Sequence, residues 1–288
     1  MMKPKTADRI ATIVFWLLGG ITVGVLLFII LQIFGRGLLT ALNPKFLLGK
    51  PEAMKEGGGI FPMIISSLYL TGLTLLIALP VSLGAAIYLA EYSREGRVTG
   101  AIRFCVDSLA GLPSIVFGIF GMTLFVIYFG WGYSLIAGAF TCAILNLPTL
   151  MRSSEESIRS VPGTYREASF SLGATRWTTV RQVVLPSATP GILAGTMLTI
   201  GRILGESAAI VYTAGLFVRK APTSPMDTAA PLASYIWYAQ TEALIPDFRR
   251  VVDGGAAFLL LLVLLMNFLA RRLARYYQRK KLAGGADG

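Results

Sequence analysis

The chain has 288 residues, of which 55% are hydrophobic and 14% charged, with a net charge of +11 and a mean hydropathy of +0.67. A soluble domain carries about a quarter charged residues, so this composition describes an integral membrane protein with little room for a separate soluble domain. Histidine is absent, which excludes histidine-based metal sites and Ser-His or Cys-His catalysis, and no G-x-x-x-x-G-K-[ST] loop is present to cradle a nucleotide.

A helix crosses the bilayer core with about 20 apolar residues. The first expected span runs over 10–34, where no charge interrupts Ile10 to Phe34. Its 25 residues exceed the apolar core of about 7–15 residues in a signal peptide, so it reads as a retained span. The second is 62–90. Ser108 to Met151 is 44 residues without a charge, too long for one crossing. Gly130-Trp131-Gly132, flanked by Tyr128 and Tyr133, marks a turn at an interface. It divides the stretch into spans 105–129 and 133–151. The fifth span is 187–218 and the sixth 253–270. The two cysteines, Cys105 and Cys142, sit in or beside apolar segments and read as packed thiols.

Lysine and arginine set the orientation. With both termini in the cytoplasm, cytoplasmic segments hold seventeen of the 26 basic residues. They include Lys3, Lys5 and Arg9 at the start and six between Arg271 and Lys281 at the end. Eight fall outside, among them Arg36, Lys55, Arg249 and Arg250, and Arg202 lies within a span. The positive-inside rule then gives six spans with a cytoplasmic loop at 152–186 and an external loop at 219–252. It also accounts for the net charge without nucleic acid. The C-terminal basic run reads as a topology anchor that meets membrane lipid.

The 152–186 loop reads as two short helices. Gly173 ends the first, as glycine does at a helix C-terminus. Thr175 caps the second, and Pro186 stands at the start of the fifth span, where a missing N–H costs little. Ala168 and Ser169 are small enough for close approach by another surface. Residue chemistry alone fits a solvated hairpin equally well.

The string Glu167-Ala168-Ser169, then Gly173, then Val183-Val184-Leu185-Pro186, resembles the EAA loop of ABC importer permeases. Ser169 replaces the second alanine and Val183 the usual isoleucine. Gly111-Leu112-Pro113-Ser114, Arg152 with Glu155-Glu156, Gly201-Arg202 with Gly205-Glu206-Ser207-Ala208, and Pro222-Thr223-Ser224-Pro225 resemble the phosphate permease subunits of the PstA type. That resemblance implies an all-α type I ABC importer permease fold of six transmembrane helices in the bacterial inner membrane, with inorganic phosphate as cargo. It implies a second permease (PstC-like), a dimer of ATPase subunits (PstB-like) that binds the ATP, and an extracytoplasmic phosphate-binding protein (PstS-like). This chain itself then carries no cofactor and no catalytic residue. Glu167, Ala168, Ser169, Gly173, Ala174, Thr175, Leu185 and Pro186 become the coupling residues. The same architecture serves sulfate, phosphonate or molybdate equally well, and an ion-coupled secondary transporter is the rival outside this class.

Arg202 and Glu206 are four residues apart, which on a continuous helix puts them on one face. A charge at mid-membrane costs about 2.5–3.5 kcal/mol on insertion scales, which favours a function. Arg202 is the expected contact for an anionic cargo, with Glu206 competing for its guanidinium; a purely structural pair is the alternative. Ser207, Arg152 and Glu155 join the candidate path. Gly191 with Gly195, and Gly201 with Gly205, form small-xxx-small spacings. These serve packing within the chain or a seam with a second permease.

Overall fold

The computed structural model describes residues 4–52, 58–94, 96–216, 218–241 and 246–284. Lys3 and Lys55, counted in the charge balance, and 242–245 of the 219–252 loop lie outside them. All regular structure among the described residues is helical. Among the described residues five helices are long and apolar enough to cross a membrane, six when one sharply bent pair is counted as a single span.

The first helix, α1 (Pro4–Ala41), is exposed along nearly all of its apolar length. It meets the rest of the bundle near Gly37, where a side chain would collide with the Asp253 carbonyl of the last helix, α12 (Phe248–Gly284). After the short α2 (Pro44–Leu48), α3 (Phe61–Ile87) continues through a wider π-type turn, Tyr88–Tyr92. Its buried Ser66, Ser67 and Thr71 hydroxyls donate to carbonyls one turn back, whereas the buried Thr74 hydroxyl finds no partner among the described residues.

The third span departs from the 105–129 reading. Arg97–Ala110 forms α4 and Ser114–Gly121 forms α5, extended by wide turns to Tyr128, and the two segments are bent by 98°. The break is Gly111-Leu112-Pro113. Proline has no N–H to continue the ladder and disfavours helical geometry in the residue before it. Only 114–128 follows the bundle. The amphipathic α4 lies across the end of α6 (Leu135–Arg159). The turn at Gly130 and Gly132 is as expected: both glycines have positive φ, 69° and 64°. Phe125 stacks on Trp131 beside it, with ring centroids 5.5 Å apart.

Helix α6 is the hub and packs on α3, α5 and α9. It runs to Arg159, so Arg152 and Glu155 lie on the span helix itself and the 152–186 loop begins later than the charges suggested. The first free amides of a helix need partners. Those of Leu135 and Ile136 donate to the carbonyls of Asp227 (2.9 Å) and Pro225 (2.8 Å). The loop that supplies them is pinned by the Asp227 carboxylate, which accepts from the amides of Ser224 (2.9 Å) and Thr223 (2.7 Å) and from the Thr223 hydroxyl. Those bonds, the Ser224 amide first, hold the Asp227 carboxyl below its usual pKa. A depressed folded pKa contributes stability above the unfolded value, about 3.9, and loses it as pH falls through the folded value. Hydrogen-exchange protection of the Leu135 and Ile136 amides is therefore expected to fall below about pH 4. In Asp227→Asn it should be low already at neutral pH and flat with pH.

The segment after α6 folds as α7 (Gly163–Ser171) and α8 (Arg176–Thr179). A wide turn, Val180–Val184, carries α8 without a break into α9 (Leu185–Gly205). The fifth span stops at Gly205 instead of reaching 218. Glu206 is extended (φ −73°, ψ 129°), and a four-residue helix, α10 (Ala208–Val211), follows. Gly191 and Gly195 pack on Ser157 and Ser153 of α6, where an added Cβ would clash, whereas Gly205 faces open space. The first glycine pair thus serves packing within the chain. Helix α11 (Leu232–Thr241) buries Leu232 and Tyr235 against Phe46, Met63 and Val251. Both cysteines are free, Cys142 buried and Cys105 exposed.

Candidate functional site

Two features stand out: a charged flank running down α6, and the two short helices beyond its end. On the flank, Arg202 of α9 donates to the hydroxyl of Thr149 on α6 through Nη1 at 3.4 Å. Thr149 and Arg152 are three residues apart on α6, so they share a face. Arg202 and Arg152 are both exposed, and the residue that Arg202 contacts stands about one helical turn from Arg152 on α6. Arg152 pairs with Asp107 of α4 and approaches Glu156 at 3.9 Å. One turn lower, the Glu155 carboxylate is 11% exposed and accepts from Arg103 of α4 and Arg159 of α6, each at 2.9 Å. A buried carboxylate needs such partners to stay charged. Three arginines (103, 152, 159) and three carboxylates (107, 155, 156) line a recess of ≈ 260 Å³. The recess is locally neutral, three arginines against three carboxylates.

Glu206 does not pair with Arg202. Because α9 ends at Gly205, the two are not on one helix face. The Glu206 Oε1 instead accepts from the Ala209 amide at 3.3 Å, at the start of α10. Ser207 lies in the break itself, half-buried. Arg202 is left facing outward with a weak neutral partner, Thr149.

Beyond α6, Gly173 has φ +81° and turns α7 into α8. The Thr175 side chain accepts from the Thr178 amide at 3.3 Å, and the Ser169 and Thr179 hydroxyls bond at 2.8 Å across the two helices. Tyr165, Phe170, Leu172 and Trp177 all stand exposed, Leu172 at 89%. Tyr165 and Leu172 border a groove of ≈ 630 Å³ that Ala168, Ser169, Ala174 and Pro186 help to line. Glu167 is exposed beside it, and Leu185 is half-buried at the root of α9. An apolar, aromatic knuckle of this size on a polar loop suits a partner's surface.

Among the described residues no group of three or more side chains could hold a metal ion.

The sequence pattern of the family described as binding-protein-dependent transport system inner membrane component matches residues 79–282. The chain belongs to this family. It is a permease subunit of an ABC importer in the inner membrane, which sets aside ion-coupled secondary transport. It is 38% identical to the probable ABC transporter permease protein YqgI of Bacillus subtilis, over 98% of this chain and all of that one. It is also 39% identical to the phosphate transport system permease protein PstA 1 of Mycobacterium tuberculosis, over 55% of this chain and 52% of that protein. The Xylella fastidiosa PstA is 38% identical over 57% of each chain. The permease thus aligns with about half the length of these phosphate relatives.

Solved structures agree on the permease fold. A chain of the inward-facing MetNI methionine transporter superposes with a TM-score of 0.58 at 20% identity, covering 76% of this chain and 94% of that one. A chain of a bacterial transporter importing the acidic polysaccharide alginate gives 0.60 at 16% identity, covering 94% of each.

The sequence reading overlooked several residues of this permease. Arg103 counts there only as a cytoplasmic charge, Asp107 lies on the segment taken as the start of a span, and Thr149 is an unremarked hydroxyl in an apolar helix. Glu91 and Arg166 form an ion pair across 75 positions at 2.6 Å. The one available signal was Glu91 itself, a lone carboxylate directly after a charge-free span.

Proposed function

We propose that this permease imports inorganic phosphate, with both termini in the cytoplasm and α7–α8 docked on an ATPase subunit. A second, related permease completes the path, an extracytoplasmic phosphate-binding protein delivers the anion, and the ATPase pair binds the ATP. Two exposed arginines, Arg202 bonded to Thr149 and Arg152 one turn beyond Thr149 on α6, are the observation that carries this reading. Tetrahedral oxyanions are well matched by guanidinium forks. The relatives named as phosphate permeases are similar over a little more than half of this chain, which supports an oxyanion cargo.

The path works by exchange. Translocation needs entry and release in equal measure, so no step should be deep. Arg202 has only Thr149 to displace. At Arg152 an arriving anion competes with Asp107 and Glu156, and that competition limits how tightly it is held. Closure of the ATPase pair draws the two coupling loops together, and α8, continuous with α9, carries that motion to Arg202. This chain performs no covalent chemistry.

Charge-assisted hydrogen bonds contribute about 1.5–3 kcal/mol. Arg202→Gln should therefore lower uptake of labelled phosphate by on the order of 10- to 100-fold in cells lacking other phosphate transporters. Unchanged uptake would remove Arg202 from the path. Sulfate uptake lost in place of phosphate uptake would assign the same architecture to a different oxyanion.

A further inference from the structure

The order of helices along the chain suggests one route from the loop into the membrane, through α8 into α9. The side chains describe a second. Arg166, in the middle of α7, uses three of its nitrogens on two other elements. Nε and Nη2 donate to Glu91 Oε1 at 3.0 and 2.6 Å. Nη2 also reaches the Ile158 carbonyl at 3.0 Å, and Nη1 the Val161 carbonyl at 2.6 Å, at and just beyond the end of α6. A guanidinium over a helix C-terminus is favourably placed in the helix dipole. Glu91 is 7% exposed and the Arg166 side chain 20%, so the pair is sequestered beneath the exposed knuckle. The next residue, Tyr92, offers its ring to Arg176 of α8, with the guanidinium carbon 5.1 Å from the centroid. Two adjacent residues at the end of α3 therefore hold both short helices, one each. They lie in a π-type turn, a distortion often found at functional sites.

We infer that Glu91 and Tyr92 are positioning residues that deliver the loop's movement to α3, making α3 a second driven span beside α9. A buried ion pair is a poor way to gain stability, since apolar residues of similar size usually serve as well or better. Its bonds are directional, however, and a directional link is what a transmitted displacement requires. The inference rests on the reading that α7–α8 docks on an ATPase subunit.

The test uses the complete transporter in proteoliposomes, with hydrolysis and uptake measured on one preparation. Glu91→Gln is expected to keep the ATPase subunits bound and hydrolysing while phosphate uptake per ATP falls at least ten-fold. Glu91→Leu with Arg166→Met replaces the pair by apolar packing. This double variant should be as stable as the parent and still uncoupled. If the double variant restores normal uptake per ATP, or if hydrolysis and uptake fall together in Glu91→Gln, the pair is only structural and the inference is overturned. Leu172→Asp separates the underlying reading. It should release the ATPase subunits, and retention with normal hydrolysis would refute docking through α7–α8 and the inference with it.

Discussion

Replacing Gly173 with valine is expected to abolish transport while leaving the chain inserted and folded. At φ +81° the backbone sits in the left-handed region, which costs an L-residue about 1–2 kcal/mol and is worse for a β-branched one. No neighbour lies within 4 Å of the Cβ position, so the penalty is conformational and the packed spans are spared. The turn relieves it by changing angle. Leu172 and Trp177, exposed on either side of the turn, then lose their relative placement, and the groove between α7 and the start of α9 changes shape. Co-purification with the ATPase subunits should drop by about ten-fold or more, since 1.4 kcal/mol already corresponds to ten-fold. Gly173→Asn, which tolerates positive φ, should be milder. Normal association in the valine variant would show that the knuckle's angle is irrelevant to docking.

Gly195→Leu is expected to have the largest effect on the fold. A side chain there drives into Ser153, whose Cβ would be 2.7 Å from the new Cβ. Overpacking of this kind costs about 1–3 kcal/mol. In this bundle it also parts α9 from α6, and with them Arg202 from Thr149. Reduced resistance to thermal unfolding in detergent, with loss of uptake, is the expected outcome. Gly205→Leu is the matched control, because nothing within this chain approaches that position. If Gly205→Leu leaves the isolated chain stable but prevents its assembly with a second permease, Gly205 lies on the intersubunit seam. If Gly195→Leu is harmless to the isolated chain, the α6–α9 seam described above does not hold the bundle.

What could be read from the residues was local or repetitive. Charge-free runs located the spans, glycines with special backbone requirements located the turns at 130–132 and 173, and Thr175 announced its cap. Three things escaped. Pro113 broke the third span because an apolar run conceals direction: the charge-free run from Ser108 to Met151 passes through the 98° bend without a change of character. The end of α9 at Gly205 was hidden by a continuing apolar pattern through Val218, so a spacing of four between Arg202 and Glu206 implied a helix face that does not exist. The ion pairs joining Arg103 to Glu155 and Glu91 to Arg166 span 52 and 75 positions. No periodicity connects such residues; only the folded bundle brings them together.

The exposure of the apolar window of α1 has a consequence for the protein's response to its solvent. Its apolar window is not buried against any other helix, so the hydrocarbon alone decides how that helix leans. The charge-free run from Ile10 to Phe34 is about 37 Å long at 1.5 Å per residue, longer than a hydrocarbon core of about 30 Å. A thinner bilayer demands more tilt and a thicker one less. Because the C-terminal end of α1 packs closely on α12, with Gly37 on the backbone of Asp253 and Thr40 against Gly254, that tilt is felt at the first turns of α12, and lipid acyl length acts on the bundle through this one seam.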